Sequence, residues 1–510
     1  MNKKFLKISA LISLMLIFSF TACEMGATVE SPAQYTVTFN ANDGSQSPAT
    51  GSQTFTAGTA QALKTAATLG FSRSGYTFAG WATSNTATSA AYADGASYTA
   101  NADVTLYAVW TAITLSSISV SGTPSKTVYL SGESFDSTGI TVTATYSDGS
   151  TGTVTTYTND LGTSICYNGK ALTLSYTYNS DTKTVSLTGP FYIAASDALT
   201  QTVQDNGTTT ISGTSFQLVK FGDFPQTIAE SGITYSSSTV YNGWYLGSDG
   251  YFYEACSANP CQSSYTFSNN VTISSGTTYY FKVQPIVWRV LKTDNDARTK
   301  LLLTEKILTA NVSYYGSSSS RSLNDTTIYA NNYKYSNIRA YLNGTKNQYV
   351  TDGGTSNTYT VDWSDKGFLQ KAFTTSSQAL IPTTTVDNSA ASTTDSSGSL
   401  TQASSYVCVN TSDKIFLLSE QEVTTSAYGF AAYNSYGTGN ARIRETTDYA
   451  KANYAYQSTT SGYGGYWWLR SPSYSGSNYA RLIYYNGDAD GNSSVNGSNP
   501  GVCPALSISF

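Results

Sequence analysis

The sequence predicts a multidomain, mainly β protein, and three observations carry that prediction. At 510 residues the chain is too long for one ordinary hydrophobic core, so three or four domains are expected. Charged residues make up only 12% of it, while tyrosine and glycine contribute 41 residues each. Weakly charged chains rich in Ser, Thr, Tyr and Gly are typical of extracellular β modules, because β-branched and aromatic side chains suit a pleated, half-buried surface. The third observation is period-two alternation, clearest in Tyr35–Phe39 and in Val142–Tyr146, each run heading into an Asp-Gly turn.

Composition also narrows the chemistry. The net charge of −5 is spread thinly, with no basic stripe, which argues against a nucleic-acid partner. The chain contains no histidine, so Ser-His-Asp and Cys-His sites, His-containing zinc sites and His general bases cannot be built. Six cysteines are present and none forms a CxxC pair, so no zinc ribbon is expected. In an oxidising compartment Cys256 pairs with Cys261 across the loop that Pro260 tightens, and Cys408 with Cys503 is the second expected bridge. Cys166 is then a free thiol.

Taken in order, the chain opens with Lys3, Lys4 and Lys7 before an apolar run from Ile8 to Phe20. Such a run is a secretory signal, too short to span a membrane comfortably. Its ending, Phe20-Thr21-Ala22-Cys23, resembles a bacterial lipoprotein box, although that family prefers Leu where Phe20 stands. The resemblance implies that residues 1–23 are a lipoprotein signal peptide, that Cys23 is acylated, and that membrane lipid is a partner. The expected location is the cell envelope, lipid-anchored, at the outer membrane or cell surface. Residues 24–34 form a polar tether.

Residues 35–112 are the first folded module. YTVTFNANDG, GYTFAGW and VTLYAVW read as strands, and Tyr35, Val37, Phe39, Gly75, Tyr76, Phe78, Gly80, Trp81, Leu106, Tyr107, Ala108 and Trp110 carry a resemblance to the Listeria/Bacteroides repeat of internalin B-type surface proteins. That resemblance implies a β-grasp-like fold, an envelope location and a spacer role, with Trp81 and Trp110 in the core. Residues 115–193 hold a line from Gly139 to Gly149 that resembles bacterial immunoglobulin-like domains, implying an Ig-like β-sandwich. Residues 194–215, rich in Thr, Ser, Gly and Asp, read as a linker.

Residues 216–510 contain FGDFPQT, QPIVWRVL, LLLTEKIL, YSNIRAYLNG, FLQKAF, DKIFLLSEQEV, YWWLRSP and GVCPAL in that order. Together these resemble a bacterial domain family of unknown function marked by WWLRSP and GVRPAL signatures, with Cys503 at the family's Arg position. YSNIRAYLNG and FLQKAF read as helices, and WRVL and KLLLT as buried strands, making this domain α+β. Its layout is similar to the C-type-lectin-like fold, an analogy that does not transfer a function.

The expected working surface lies between two apolar anchors, Trp467-Trp468-Leu469 and Val502–Ile508. Each large side chain buried there is worth roughly 1.5–3 kcal/mol, enough to fix the flanks. Three turn signals, Asn486-Gly487, Asp490-Gly491 and Asn496-Gly497, predict a hairpin. It is expected to present Tyr474, Asn478, Tyr479, Arg481, Tyr484, Tyr485, Asn486, Asp488, Asn492 and Asn496 as a ligand-binding set, in the manner of Tyr-, Ser- and Asn-rich antibody loops. Asn486, Asp488, Asp490 and Gly491 mimic part of a calcium loop, but Gly497 stands where the bidentate Glu belongs, so no metal is expected. No cofactor is expected either.

The reading is a non-enzymatic envelope lipoprotein whose terminal hairpin binds an extracellular protein or glycan. The alternatives are an envelope glycan hydrolase using Glu305, Glu420 and Glu422, and a structural protein without a ligand.

Overall fold

A computed structural model describes residues 31–323, 326–349 and 359–510. The signal peptide, Cys23 and most of the tether lie outside the described residues. Strands account for 41% of the chain and helices for 8%, so the mainly β expectation holds. No described helix exceeds the seven residues of Asn337–Asn343, and none is long and apolar enough to cross a membrane. Two compact units divide the chain.

The first unit holds the described residues up to Ser117, with 144–152 and 177–183. Its main sheet has the order Thr50–Thr56, Gln34–Asn40, Val104–Ala112, Tyr76–Ala82. The central pair is parallel, with Phe39 opposite Leu106, and both outer pairs are antiparallel. Alternation along the first strand puts Val37 and Phe39 inside, where they meet Phe55, Leu106 and Ala108. Trp81 is the centre of this core, with the rings of Phe39, Phe78 and Phe71 at 4.7, 4.9 and 6.1 Å. Trp110 is half-buried and donates its indole N–H to the Ala41 carbonyl at 2.7 Å. Gly80 sits at a register shift with φ +136°, and a Cβ there would stand 2.4 Å from the Tyr92 carbonyl. Only glycine fits that bulge.

The second unit holds residues 118–143, 153–176 and 184–510. Toward its start, Val128–Leu130 runs parallel to Asp181–Ala194, and Leu172, Leu174, Leu187 and Phe191 are buried. The stretch expected as a linker, residues 194–215, departs from expectation. Gln204–Ile211 is a strand that folds back on Thr214–Ile228, and Ala198 and Thr200 are buried. The Thr200 amide donates to both oxygens of Asp223. Threonine-rich chain is a loose tether only when no strand edge is offered to it; here Thr214–Ile228 supplies one.

The large sheet of this unit runs Gln204–Ile211, Thr214–Ile228, Thr278–Asp294, Thr299–Thr304, Ala505–Ser509, Ile415–Phe416. All these pairings are antiparallel. The last strand of the chain is therefore an interior strand, with Leu506 opposite both Leu302 and Ile415. One continuous core reaches from Phe216 to Ile508 and includes Trp288, Leu303, Trp467, Trp468 and Leu469. Asn337–Asn343 forms a helix because the Ser336 hydroxyl caps its start and Gly344 ends it in the left-handed region, with Ile338 and Leu342 buried on one face. Phe368–Ala372 is the second expected helix.

Neither expected cysteine bridge is formed: Cys166, Cys256, Cys261, Cys408 and Cys503 are all free. Cys503 is buried beside the Lys306 carbonyl, with Thr304 and Arg444 around it. Cys408 lies instead among Tyr333, Lys334 and Arg339, a different neighbourhood. Cys256 sits on the strand Phe252–Ser257, with its thiol directed to the Ser257 carbonyl at 3.6 Å.

Candidate functional site

Trp467–Pro472 is buried at all six positions. It pairs with Tyr479–Ile483, placing Trp468 opposite Leu482, and Tyr479–Ile483 pairs in turn with Gly491–Ser494. The first strand of the hairpin Tyr479–Ser494 is thus the middle of three, between Trp467–Pro472 and Gly491–Ser494. That position decides the fate of Arg481. Expected to point to solvent, Arg481 is fully buried, because Ala480, Arg481, Leu482 and Ile483 are covered on both faces of the strand. Its Nη1 donates to Asp490 at 2.6 Å, and its Nε lies 4.0 Å from buried Glu420.

The other expected residues divide mainly between the two ends of that strand. Tyr474 is 47% exposed and Asn496 is exposed, Asn478 and Tyr479 are half-buried at the strand's start, and half-buried Asn492 stands opposite Arg481 at its middle. Tyr484, Tyr485, Asn486 and Asp488 are half-buried past its end. Five steps of extended chain separate Tyr479 from Tyr484, roughly 16 Å, so the two groups stand at opposite ends of the strand. The Asn486 and Asp488 side chains are occupied in successive Asx turns, accepting from the Asp488 and Asp490 amides at 3.1 Å. No group of three His, Cys, Asp or Glu side chains able to hold a metal exists among the described residues.

The turn end carries the more informative arrangement. Tyr484 and Tyr485 join Tyr456, Tyr463, Tyr466 and Tyr265 in one aromatic patch, with all six rings half-buried. Tyr456 stacks on Tyr466 at 4.2 Å and 11°. Tyr484 and Tyr485 approach Tyr466 at 5.5 and 5.9 Å, Tyr463 approaches Tyr485 at 5.5 Å, and Tyr265 approaches Tyr456 at 6.5 Å. These are the offset and edge-to-face spacings that aromatic quadrupoles favour. Burial, with the neighbouring tyrosines adding to it, raises the pKa of Tyr466 above its ordinary value. The hydroxyls of Tyr463, Tyr484 and Tyr485 make no hydrogen bond to any described residue. They remain available to a ligand.

Two features hold the patch in place. Arg442, fully buried, donates its Nε to the Gly487 carbonyl at 2.7 Å and its terminal nitrogens to the carbonyls of Val423, Ala431, Ala432 and Ser435. It ties the hairpin turn to the 431–435 loop. Gly464 and Gly465 let the chain entering Trp467 pass close to its neighbours: a Cβ on Gly464 would stand 2.1 Å from the Arg444 carbonyl, and one on Gly465 2.3 Å from that of Tyr456. Tyr456, Tyr463, Tyr466, Tyr265 and Arg442 were not among the expected site residues. For Tyr456, Tyr463 and Tyr466 the hint is the aromatic spacing of YAYQ and GYGGYWW, which does not reveal that distant segments meet, and nothing local marks Tyr265 or Arg442.

The three glutamates of the hydrolase alternative answer different arginines. Glu305 bonds Arg289 at 2.5 and 2.9 Å. Burial opposes its ionisation, yet Arg444 and Arg289 outweigh that and hold its pKa below the usual carboxylate value. Glu422 bonds Arg470 at 2.5 Å and completes a capping box with Ser419. Glu420 is fully buried with neither oxygen hydrogen-bonded; burial pushes its pKa up to about 8 against the opposing pull of Arg481 and Arg442.

Two family models match parts of the chain. Residues 35–109 match the Listeria-Bacteroides repeat domain, which suggests a surface or envelope protein. Residues 297–510 match a domain of unknown function, DUF6273, and this region contains the hairpin and five of the six patch tyrosines. Two long strands of the large sheet, Thr214–Ile228 and Thr278–Asp294, precede the matched region. No curated protein matches the chain.

Proposed function

We propose that this protein is a lipid-anchored envelope protein whose C-terminal domain binds an extracellular ligand through the tyrosine patch beside the hairpin turn. The observation that carries this reading is the clustering of six half-buried tyrosines, three with free hydroxyls, on a turn fixed from behind by Arg442. Tyrosine gives rigid contact area at low entropic cost and a polar tip for orientation, which suits recognition of a protein or glycan. The repeat match supports an envelope location, and Cys23 is the proposed site of acylation. Non-covalent recognition, with no bond made or broken, is the proposed mechanism.

The test is a glycan and protein array probed with the full-length protein and with Tyr485→Ala. Binding that Tyr485→Ala weakens about tenfold, as loss of a central aromatic contact of ~1.4 kcal/mol would, supports the reading. An array on which the unmodified protein binds nothing leaves a structural envelope protein in its place.

A further inference from the structure

An open cleft of ≈ 450 Å³ lies in the same unit, lined by Lys220, Lys306 and Lys451 together with Glu445 and Asp448. Its size falls within the ~300–1,000 Å³ of small-ligand sites. The charges in it are not balanced. Asp448 is almost fully buried, and its carboxylate is taken up by the Ile228 and Ser268 amides, the Ser268 hydroxyl and Lys451. Lys306 and Glu445 stand 3.9 Å apart with exposed side chains, a pair too solvated to hold the ammonium firmly. Lys220 makes no ion pair with any described residue. A cleft with one more ammonium group than carboxylates is unexpected in a chain of net charge −5.

This cleft adjoins the tyrosine patch. Thr446, on its wall, donates its hydroxyl to the Tyr456 carbonyl at 3.2 Å, and its amide donates to the side chain of Gln457 at 2.9 Å. The Gln457 amide in turn donates to the Tyr265 hydroxyl. Lys451 reaches the Thr266 carbonyl, one residue from Tyr265. Aromatic rings with free hydroxyls at one side, and ammonium, carboxamide and hydroxyl groups at the other, are the complement of a sugar chain carrying a carboxylate.

We infer that the patch and the cleft form one site for a carboxylate-bearing glycan, with the acidic sugar's carboxylate at Lys220 and Lys306 and adjoining sugar rings against Tyr456 and Tyr485. Gln226 and Gln284 also line the cleft; the Gln226 Nε2 is taken by the Gln284 and Pro285 carbonyls and the Gln284 Oε1 by the Thr227 hydroxyl, which leaves the Gln226 Oε1 and the Gln284 Nε2 for sugar hydroxyls. This rests on the ligand-binding reading of the same patch and adds the ligand's chemical class.

The experiment compares a uronic-acid oligosaccharide, a sialylated oligosaccharide and the carboxyl-reduced, neutral form of the first, each titrated onto the full-length protein. At least one acidic ligand is expected to bind about tenfold or more tightly than the neutral form, because only the acidic form makes a charge-assisted contact. Affinity should fall as salt is raised from about 0.05 to about 0.5 M. Lys220→Gln should lose that preference and Lys220→Arg should keep most of it, with thermal unfolding unchanged in both because the ammonium has no partner to lose. Equal binding of acidic and neutral forms, or a preference that survives Lys220→Gln, overturns the inference. If only the neutral oligosaccharide binds, or only proteins bind on the array, and Tyr485→Ala weakens that binding, the inference falls while the ligand-binding reading stands. If none of the three oligosaccharides binds, the inference falls, and the ligand-binding reading then stands or falls on the glycan and protein array.

Discussion

Glu420 and Arg442 show how buried charge is handled differently within one site. Glu420 has no hydrogen-bond donor and an arginine only at 4.0 Å, so loss of hydration dominates and its pKa rises to about 8. A carboxyl whose folded pKa exceeds its unfolded value of 4.5 binds its proton more tightly when folded. Its stabilising effect is complete below the unfolded value and is lost as pH rises toward about 8, at up to about 1.4 kcal/mol per pH unit. Thermal unfolding between roughly pH 5 and pH 8 should therefore decline more steeply for the native protein than for Glu420→Gln; parallel profiles would show that Glu420 does not titrate there. Arg442 is the opposite case, its guanidinium satisfied by five carbonyls. Lysine cannot reproduce that planar fork, so Arg442→Lys is expected to cost about 2–4 kcal/mol in chemical denaturation, with several buried carbonyls left unpaired.

At the scale of the element, the hairpin illustrates what turn signals do and do not convey. Asn486-Gly487 marks a true reversal, with Gly487 at φ +84° and its amide on the Tyr484 carbonyl. What the turn residues leave open is which neighbours the strand acquires. Tyr479–Ile483 gained one on each side and cover on both faces, which buried Arg481. The segment leading into Trp467 depends on Gly465 in the same way. Gly465→Ala would push a methyl into the Tyr456 carbonyl, the Thr446 hydroxyl and Ile307. It is expected to cost about 1–3 kcal/mol and to displace Tyr456 and Tyr466, observable as lower thermal stability together with altered near-ultraviolet tyrosine dichroism. Retention of both signals would mean that the backbone can shift without cost.

At the scale of the whole molecule, a repeat that suggests an envelope location precedes a domain whose last strand lies inside its sheet. Truncation before Ala505 removes an interior strand rather than a tail. The proposed anchor gives its own prediction: replacing Cys23 with alanine should abolish incorporation of labelled fatty acid and move the protein from membrane to soluble fractions, whereas unchanged fractionation would remove lipid anchoring from the account. The amino-acid sequence by itself determined the β class, the apolar anchors at Trp467–Leu469 and Val502–Ile508, the two capped or apolar-faced helices, and the exclusion of histidine chemistry. Each of these follows from composition or from contacts within a few residues. Only the tertiary structure decided that Arg481 is internal, that residues 204–211 are a strand rather than tether, and that Tyr265 meets Tyr456 across nearly two hundred residues of chain. Burial is set by which distant segment covers a face, and local periodicity names the faces without naming their cover.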